Sequence, residues 1–315
     1  MTINIITYKG VEYTHASLRD SLKKHAVKLR VIDYESLFKL KRFPTGAYIF
    51  TDRERLDVWQ QQAVSIIYNN LNQYPEYYKV YNDPAKILSK MGSLRLLYKK
   101  KINSFNCYSV IENTQPKQFP VFLKTEYEHK SPLSKLLKNQ QELDQAISSF
   151  QQSHIPLDGM IITEYCSAPY RGEVFRRLSS YIIGDHISFA GTVHEKSWCV
   201  KYGAPALVGD AEYLEEQDMI RQNYYREKIQ KIAHLLNIEY GRVDFNVVDG
   251  NIAVYEINTN PSIVPFVANH ANPIRNQNNR DIFEQYINNL IKIDHNCKKI
   301  FTPKIKTKLK ILQRS

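Results

Sequence analysis

The residues from Gly241 to Ile263, GRVDFNVVDGNIAVYEINTNPSI, carry the densest set of groups able to do chemistry in this chain. Val243, Phe245 and Val247 alternate with Arg242, Asp244 and Asn246, and Ala253, Tyr255 and Ile257 alternate with Val254, Glu256 and Asn258. Period-two alternation marks strands with one apolar and one polar face, and Asp249-Gly250 is a hairpin signal. Whether the two carboxylates meet depends on the turn. A two-residue loop pairs Asp244 with Tyr255 and sends Asp244 and Glu256 to opposite faces. A three-residue loop, Val248-Asp249-Gly250, with Gly250 left-handed in a bulge, puts them on one face. Burying Phe245 together with Tyr255 and Ile257 favours the three-residue loop, which is the expectation; a two-residue turn would remove the case for a metal site. Two carboxylates and an amide oxygen held together repel or protonate unless a cation lies between them. Oxygen-only ligands suit Mg²⁺ or Mn²⁺ rather than zinc. The turn Asn258-Thr259-Asn260-Pro261 fixes the amide beside the carboxylates. The plain alternative is an ionic network decorating a solvated sheet face.

Those strands need a frame. Runs at 3–7, 28–33 and 46–51 read as strands, with a helix over 14–27 and another carrying Leu56, Trp59, Ala63, Ile66, Ile67 and Leu71 at helical spacing. This alternation implies a small parallel sheet with helices on its faces. Asn82-Asp83-Pro84 reads as a helix start, Asp83 as N-cap and Pro84 at the first helical position, running to Lys101. Strands follow near 107–111 and 120–124, then a polar helix over 133–150. Strands at 160–165, 174–183, 186–193, 242–248 and 252–258 complete the pattern, with one long helix inserted over 213–236.

Composition bounds the class. The chain has 315 residues, 43% of them hydrophobic, which is enough to bury a sizeable core. Only 11 are glycine, excluding collagen-like and glycine-repeat architectures. No apolar run is long enough to span a membrane and the first residues lack a signal peptide's pattern, so the expected location is cytoplasmic. Cys107, Cys166, Cys199 and Cys297 are far apart, which argues against structural zinc and a disulfide framework.

With R-x-D-F, E-I-N-x-N-P, F-P-V-F-L-K and I-I-T-E-Y all present, the chain resembles ATP-grasp enzymes. Within them it is most similar to a group sharing N-D-P before a helix, F-P-V-F-L-K-x-E-x-x-H, V-F-R-R and a tryptophan-bearing segment like Ser197 to Lys201. The resemblance covers about residues 80–265. It implies an α/β N-terminal domain (1–82) followed by a two-lobed α+β ATP-grasp fold, with a small lobe at 83–160 and a C-terminal lobe at 161–291; a basic tail at 292–315 lies outside the resemblance. It also implies ATP and Mg²⁺ (or Mn²⁺) as cofactors. Carried over by position, Lys124 reaches the nucleotide α/β phosphates and Lys90 is a second nucleotide lysine. Glu164 accepts from the adenine amino group, backbone at Tyr165 and Cys166 completes adenine recognition, and Asp244, Glu256 and Asn258 hold the metal. Arg242 sits at the phosphates or the acyl-phosphate. One departure is the segment 125–134, TEYEHKSPLS, which lacks the glycines that many members place over the phosphates.

Arg176 and Arg177 are adjacent on a strand, so their side chains point to opposite faces; Arg176 is assigned to the cleft as a catalytic residue and Arg177 to solvent. His129, in the loop after Lys124, is a candidate for a phosphate or acid contact, against the ordinary fate of a solvent-facing loop histidine. Trp198 is read as packing. The expected function is an ATP-dependent ligase joining a small-molecule or peptide carboxylate to an amine through an acyl-phosphate. A small-molecule kinase using the same site and a non-enzymatic polyanion binder are the alternatives.

The charge of +11 is local. Residues 292–315 hold eight basic residues and one acid, and 79–101 hold seven and one. The first group is a tail suited to an anionic surface; the second lies on or beside the helix bearing Lys90.

Overall fold

The computed structural model describes residues 2–15, 17–112, 115–127, 131–263 and 270–293. His129, Cys297 and the basic tail beyond residue 293 lie outside the described residues. The chain opens with β1 (Thr2–Thr7), α1 (Leu18–Lys24), β2 (Lys28–Asp33), α2 (Tyr34–Lys39), β3 (Gly46–Phe50), α3 (Val58–Asn72) and β4 (Tyr78–Tyr81). These strands form a parallel sheet in the order β2-β1-β3-β4. Helix α1 is shorter than the 14–27 expected from spacing. Ala26 turns left-handed (φ 57°), so that the Val27 N–H returns to the Leu22 carbonyl and the chain is aimed into β2.

Next come α4 (Lys90–Lys99), β5 (Cys107–Ser109), β6 (Val121–Thr125), α5 (Gln140–Gln152) and β7 (Met160–Glu164), with an antiparallel sheet ordered β5-β7-β6. The expected helix from Pro84 does not form. Lys86 and Ile87 both donate to the Asp83 carbonyl, closing a single turn, and the helix starts only where Ser89 Oγ accepts from Gly92 N at 3.1 Å. Asn82 is instead a staple. Fully buried and left-handed (φ 64°), its amide donates to the Phe50 and Tyr240 carbonyls and accepts from the N–H groups of Glu239 and Tyr240. Residues at the start of the expected 133–150 helix pair with β6 through Leu137 and Val121, and Asn139 caps α5.

The last part contains β8 (Pro169–Arg171), β9 (Val174–Ile183), β10 (His186–Glu195), α6 (Asp210–Gln222), α7 (Arg226–Leu236), β11 (Tyr240–Val248), β12 (Asn251–Asn258) and α8 (Pro273–Lys292). Its antiparallel sheet runs β10-β9-β11-β12, with β8 added to β9. The single helix expected over 213–236 is two, because Asn223 turns left-handed and its side chain donates to the Ile187 carbonyl at 2.8 Å.

One face of the first sheet (Ile3, Ile5, Ala47, Ile49) shares a continuous apolar core with Leu178, Ile182, Phe245 and α8 residues such as Phe283 and Leu290. Its other face is closed by α2 and α3 through Leu37, Val64, Ile67 and Leu71. The β9–β11–β12 face that does not join this core lines a cleft against the β5-β7-β6 sheet. Among the described residues, no helix is long and apolar enough to cross a membrane.

Candidate functional site

The turn of the carboxylate hairpin is a two-residue one, contrary to the three-residue expectation. Val248 pairs with Asn251, and Asp249 (φ 50°) and Gly250 (φ 76°) are both left-handed, as a type I′ turn requires. A regular ladder from that turn would pair Asp244 with Tyr255. It does not, because the register shifts: Phe245 faces Val254, Asp244 faces Glu256, and Tyr255 is the extra residue of a bulge. The bulge restores the convergence that the two-residue turn would have abolished. It also changes the apolar face of β12, where Ile252 and Val254 join the main core while Ala253 and Tyr255 pack with Phe105 on the cleft side. At the far end of the hairpin Arg242 pairs with Asn258. Gly241 permits this, since a Cβ there would lie 2.7 Å from the Asn258 carbonyl oxygen.

A cavity of about 420 Å³ opens in front of the hairpin and is lined by Lys124, Glu164, Tyr165, Cys166, Arg176, Arg242, Asp244, Glu256 and Asn258. Lys90 lies at its edge, where its Nζ is 3.1 Å from Glu256 Oε1. Among the described residues, the structure thus brings together every expected site residue. Lys90 is in the first turn of α4, the end of a helix that disfavours a cation, and Glu256 offsets this. Lys124 is held below its usual pKa by burial and by the nearby Lys90 charge, with Glu256 opposing. The rest of the basic cluster at 79–101 is less involved: Arg95 pairs with Glu112, and Lys99 to Lys101 are exposed.

Asp244, 5% exposed, is the centre of the charged end. Arg242 grips it with Nε at 2.7 Å and Nη2 at 3.0 Å, Ser179 Oγ donates to it at 2.9 Å, and Arg177 Nη1 is 3.6 Å away. Burial works against the Arg242 charge, yet the Asp244 carboxylate raises its pKa above the ordinary value. Asp244, Glu256 and Asn258 present two carboxylates and an amide oxygen on one wall, a donor set that fits Mg²⁺ or Mn²⁺. Among the described residues, no three His, Cys, Asp or Glu side chains cluster as a metal site by themselves, so any metal held here depends on the amide.

Both arginines line the cavity, so Arg177 is not in solvent as expected, and it is Arg177 rather than Arg176 that reaches Asp244. Ser179 pairs with Asp244 across the β9–β11 ladder, so Arg177, two residues away, lies on the Asp244 face. Arg176 points to the helix side, where Nη1 donates to Glu215 at 2.7 Å and the guanidinium lies 4.1 Å over Tyr170. It reaches the cavity only as part of its wall. Strand parity separated the pair correctly, but the choice between faces depended on the β9–β11 register.

At the other end Phe105, Phe122, Tyr165, Trp198 and Tyr255 form an aromatic slot. Trp198 packs 4.9 Å from Phe122 and 5.7 Å from Tyr165, ring centre to ring centre. Its loop is fixed by Glu195, which accepts from the N–H groups of Lys201, Tyr202 and Gly203. Glu164, 1% exposed, uses both oxygens on the protein: it accepts from the N–H groups of Asn106, Lys117 and Gln118 and from Tyr108 OH. This side chain anchors the loop before β6 rather than facing a ligand. The Tyr165 N–H is likewise committed, to the Pro120 carbonyl at 2.9 Å. Lys201 and Tyr255 also line the cavity, as does Arg177, which the sequence reading placed in solvent, and Ser179 bonds Asp244; the sequence reading gave none of them a role in the site. Strand parity from Asp244 would have flagged Ser179 and Arg177 once the register was known.

No family model and no curated protein matches the chain. In structure it is similar to the D-alanine–D-alanine ligase from Bacillus anthracis complexed with ATP, at 14% identity and a TM-score of 0.51, over 93% of this chain and 98% of that one. It is similar to the ATP-grasp ligase PsnB complexed with minimal precursor, Mg and ADP, at 13% identity and a TM-score of 0.51, over 90% and 97%. PsnB complexed with the precursor peptide PsnA2 and AMPPNP gives 12% identity and a TM-score of 0.50, over 90% and 96%. The likeness extends over at least nine-tenths of this chain in each case, and the chain has the ATP-grasp fold.

Proposed function

We propose that the chain is an ATP- and Mg²⁺-dependent ligase that joins a small-molecule or peptide carboxylate to an amine through an acyl-phosphate, with residues 83–160 and 161–291 as two lobes around the nucleotide. The observation that carries this is one cavity with an aromatic slot at one end and lysines, arginines and two carboxylates at the other, within the ATP-grasp fold. The slot suits a purine, with the peptides at Tyr165 and Cys166 as its polar edge. Lys90, Lys124 and Arg242 suit the phosphates. Mg²⁺, held by Asp244, Glu256 and Asn258, would neutralise phosphate charge.

The ion pairs support this use. Arg242 is paired with Asp244 and Lys90 with Glu256. With metal and triphosphate bound, Arg242 and Lys90 would hold phosphate oxygens in place of Asp244 and Glu256, and the two carboxylates would be free to hold the metal. Exchanging partners avoids the cost of stranding a buried charge. The substrate carboxylate attacks the γ-phosphorus in line and ADP leaves; the amine nitrogen then attacks the acyl carbon, loses its proton, and phosphate leaves. No enzyme nucleophile is required. The thiols agree, since burial raises Cys107 to about 12 and also raises Cys166 and Cys199.

The expected result is ADP release that requires both an acid and an amine, with hydroxamate formed when hydroxylamine replaces the amine. A phosphoester stable to hydroxylamine would make the chain a kinase. Absence of ADP release across a broad panel of acids would overturn the ligase reading.

A further inference from the structure

Asp52 directly follows β3 with φ 53° and is 2% exposed. A buried non-glycine residue in the left-handed region carries strain that its surroundings have to hold. What holds it comes partly from the other end of the chain. Asp52 Oδ2 accepts from Thr7 Oγ1 at 2.6 Å, Tyr8 N at 3.2 Å and Asn260 Nδ2 at 2.7 Å, and the Asp52 N–H donates to Thr259 Oγ1 at 3.1 Å. Asn260 is pinned at further points: Nδ2 also donates to Thr7 Oγ1 at 3.1 Å, and Oδ1 lies 2.9 Å from Thr14 Oγ1. The Asn260 N–H then donates to Asn258 Oδ1 at 2.9 Å.

Residues 259 and 260 are thereby tied to the carboxyl ends of β1 and β3, and the peptide of Asn260 selects which amide atom of Asn258 it faces. An oxygen that accepts this N–H keeps a second lone pair for a cation. We propose that Asp52 and Thr7 form a latch that positions the Asn258 amide, making Asp52 a positioning residue for the metal and nucleotide although it touches neither. This rests on the ligase reading only in taking Asn258 as a metal ligand. A fully hydrogen-bonded buried network resists reorientation, and loss of the partners behind a metal ligand typically weakens metal binding roughly 10–100-fold.

The test uses the full chain. Thr7→Val removes the hydroxyl that Asp52 and Asn260 share while keeping the β-branched shape suited to a strand; Thr7→Ser restores it, and Asp52→Asn is a second, isosteric lesion. Hydrogen exchange on the ligand-free protein is expected to speed up in the peptide 257–263 in Thr7→Val and Asp52→Asn but not in Thr7→Ser. The Mg²⁺ concentration giving half-maximal binding of a non-hydrolysable ATP analogue is expected to rise about tenfold in the same two variants, with affinity in EDTA unchanged. Wild-type exchange and a wild-type Mg²⁺ midpoint in either variant, with its melting temperature unchanged, would overturn the latch. Absence of Mg²⁺-dependent binding in the wild-type chain overturns the ligase reading itself and the positioning role with it.

Discussion

The two ends of the cavity are built on opposite principles. At the charged end both carboxylates are held by side-chain cations: Asp244 by Arg242, Glu256 by Lys90. At the aromatic end the Glu164 carboxylate and the Tyr165 N–H are committed to the protein, with four donors on Glu164 and the Tyr165 N–H on Pro120. The first arrangement can be rearranged at little cost because charges swap partners. The second is a fixed slot whose polar interior stabilises the fold. Mutations at the charged end should therefore change chemistry with the fold intact, and mutations of the committed groups should change the fold first.

Asp244→Asn gives the largest expected effect, a fall of about 10²–10³-fold in ATP-dependent ADP release, with the metal-dependent part of the nucleotide thermal shift abolished and the unliganded protein still folded. An unfolded Asp244→Asn protein would break the contrast. At the other end, Glu164→Ala strands three backbone N–H groups and the Tyr108 hydroxyl, and unfolding free energy in urea should drop by roughly 3 kcal/mol. A pH titration separates both ends from the histidines behind them. Burial holds His15 at about 4, weakly opposed by Asn260, and burial with the Arg176 charge holds His194 at about 4. Both stay neutral in the folded chain while the unfolded chain protonates near the ordinary 6.5. The unfolded state then binds more protons between pH 6.5 and 4, so stability falls as pH is lowered through that window. Each histidine contributes up to about 3 kcal/mol, and urea midpoints at several pH values should show a shallower slope in His194→Leu than in the wild type. Trp198→Ala is the mildest lesion: nucleotide affinity should weaken about tenfold, equally with and without Mg²⁺. A Mg²⁺-dependent loss would mean that Trp198 serves the charged end.

Local signals were reliable where neighbours in the chain decide the outcome. The alternation around Arg242, Asp244 and Asn246 and the position of the turn at Asp249-Gly250, though not its two-residue length, could be read from the sequence, because pleating and left-handed turn residues act over a few positions. Asn82-Asp83-Pro84 misled for the converse reason: its local pattern is that of a helix cap, but Asn82 is spent on Phe50, Glu239 and Tyr240. Asn223 broke an otherwise plausible helix through a tertiary bond to Ile187. The helix α8 had no assignment from pattern at all; it is held against α6, β10, β9 and α1.

By itself the sequence determined the polar face of the first hairpin strand and which residue types gather on the hairpin, since these follow from side-chain period and chemistry. Tertiary structure alone decided whether the carboxylates meet, through the bulge at Tyr255 that offsets the two-residue turn. It also decided that Arg177 rather than Arg176 approaches Asp244, and that Asp52 reaches Asn260 across 208 positions. Register, bulges and long-range hydrogen bonds are set by how whole sheets pack, and no local window of sequence contains that packing.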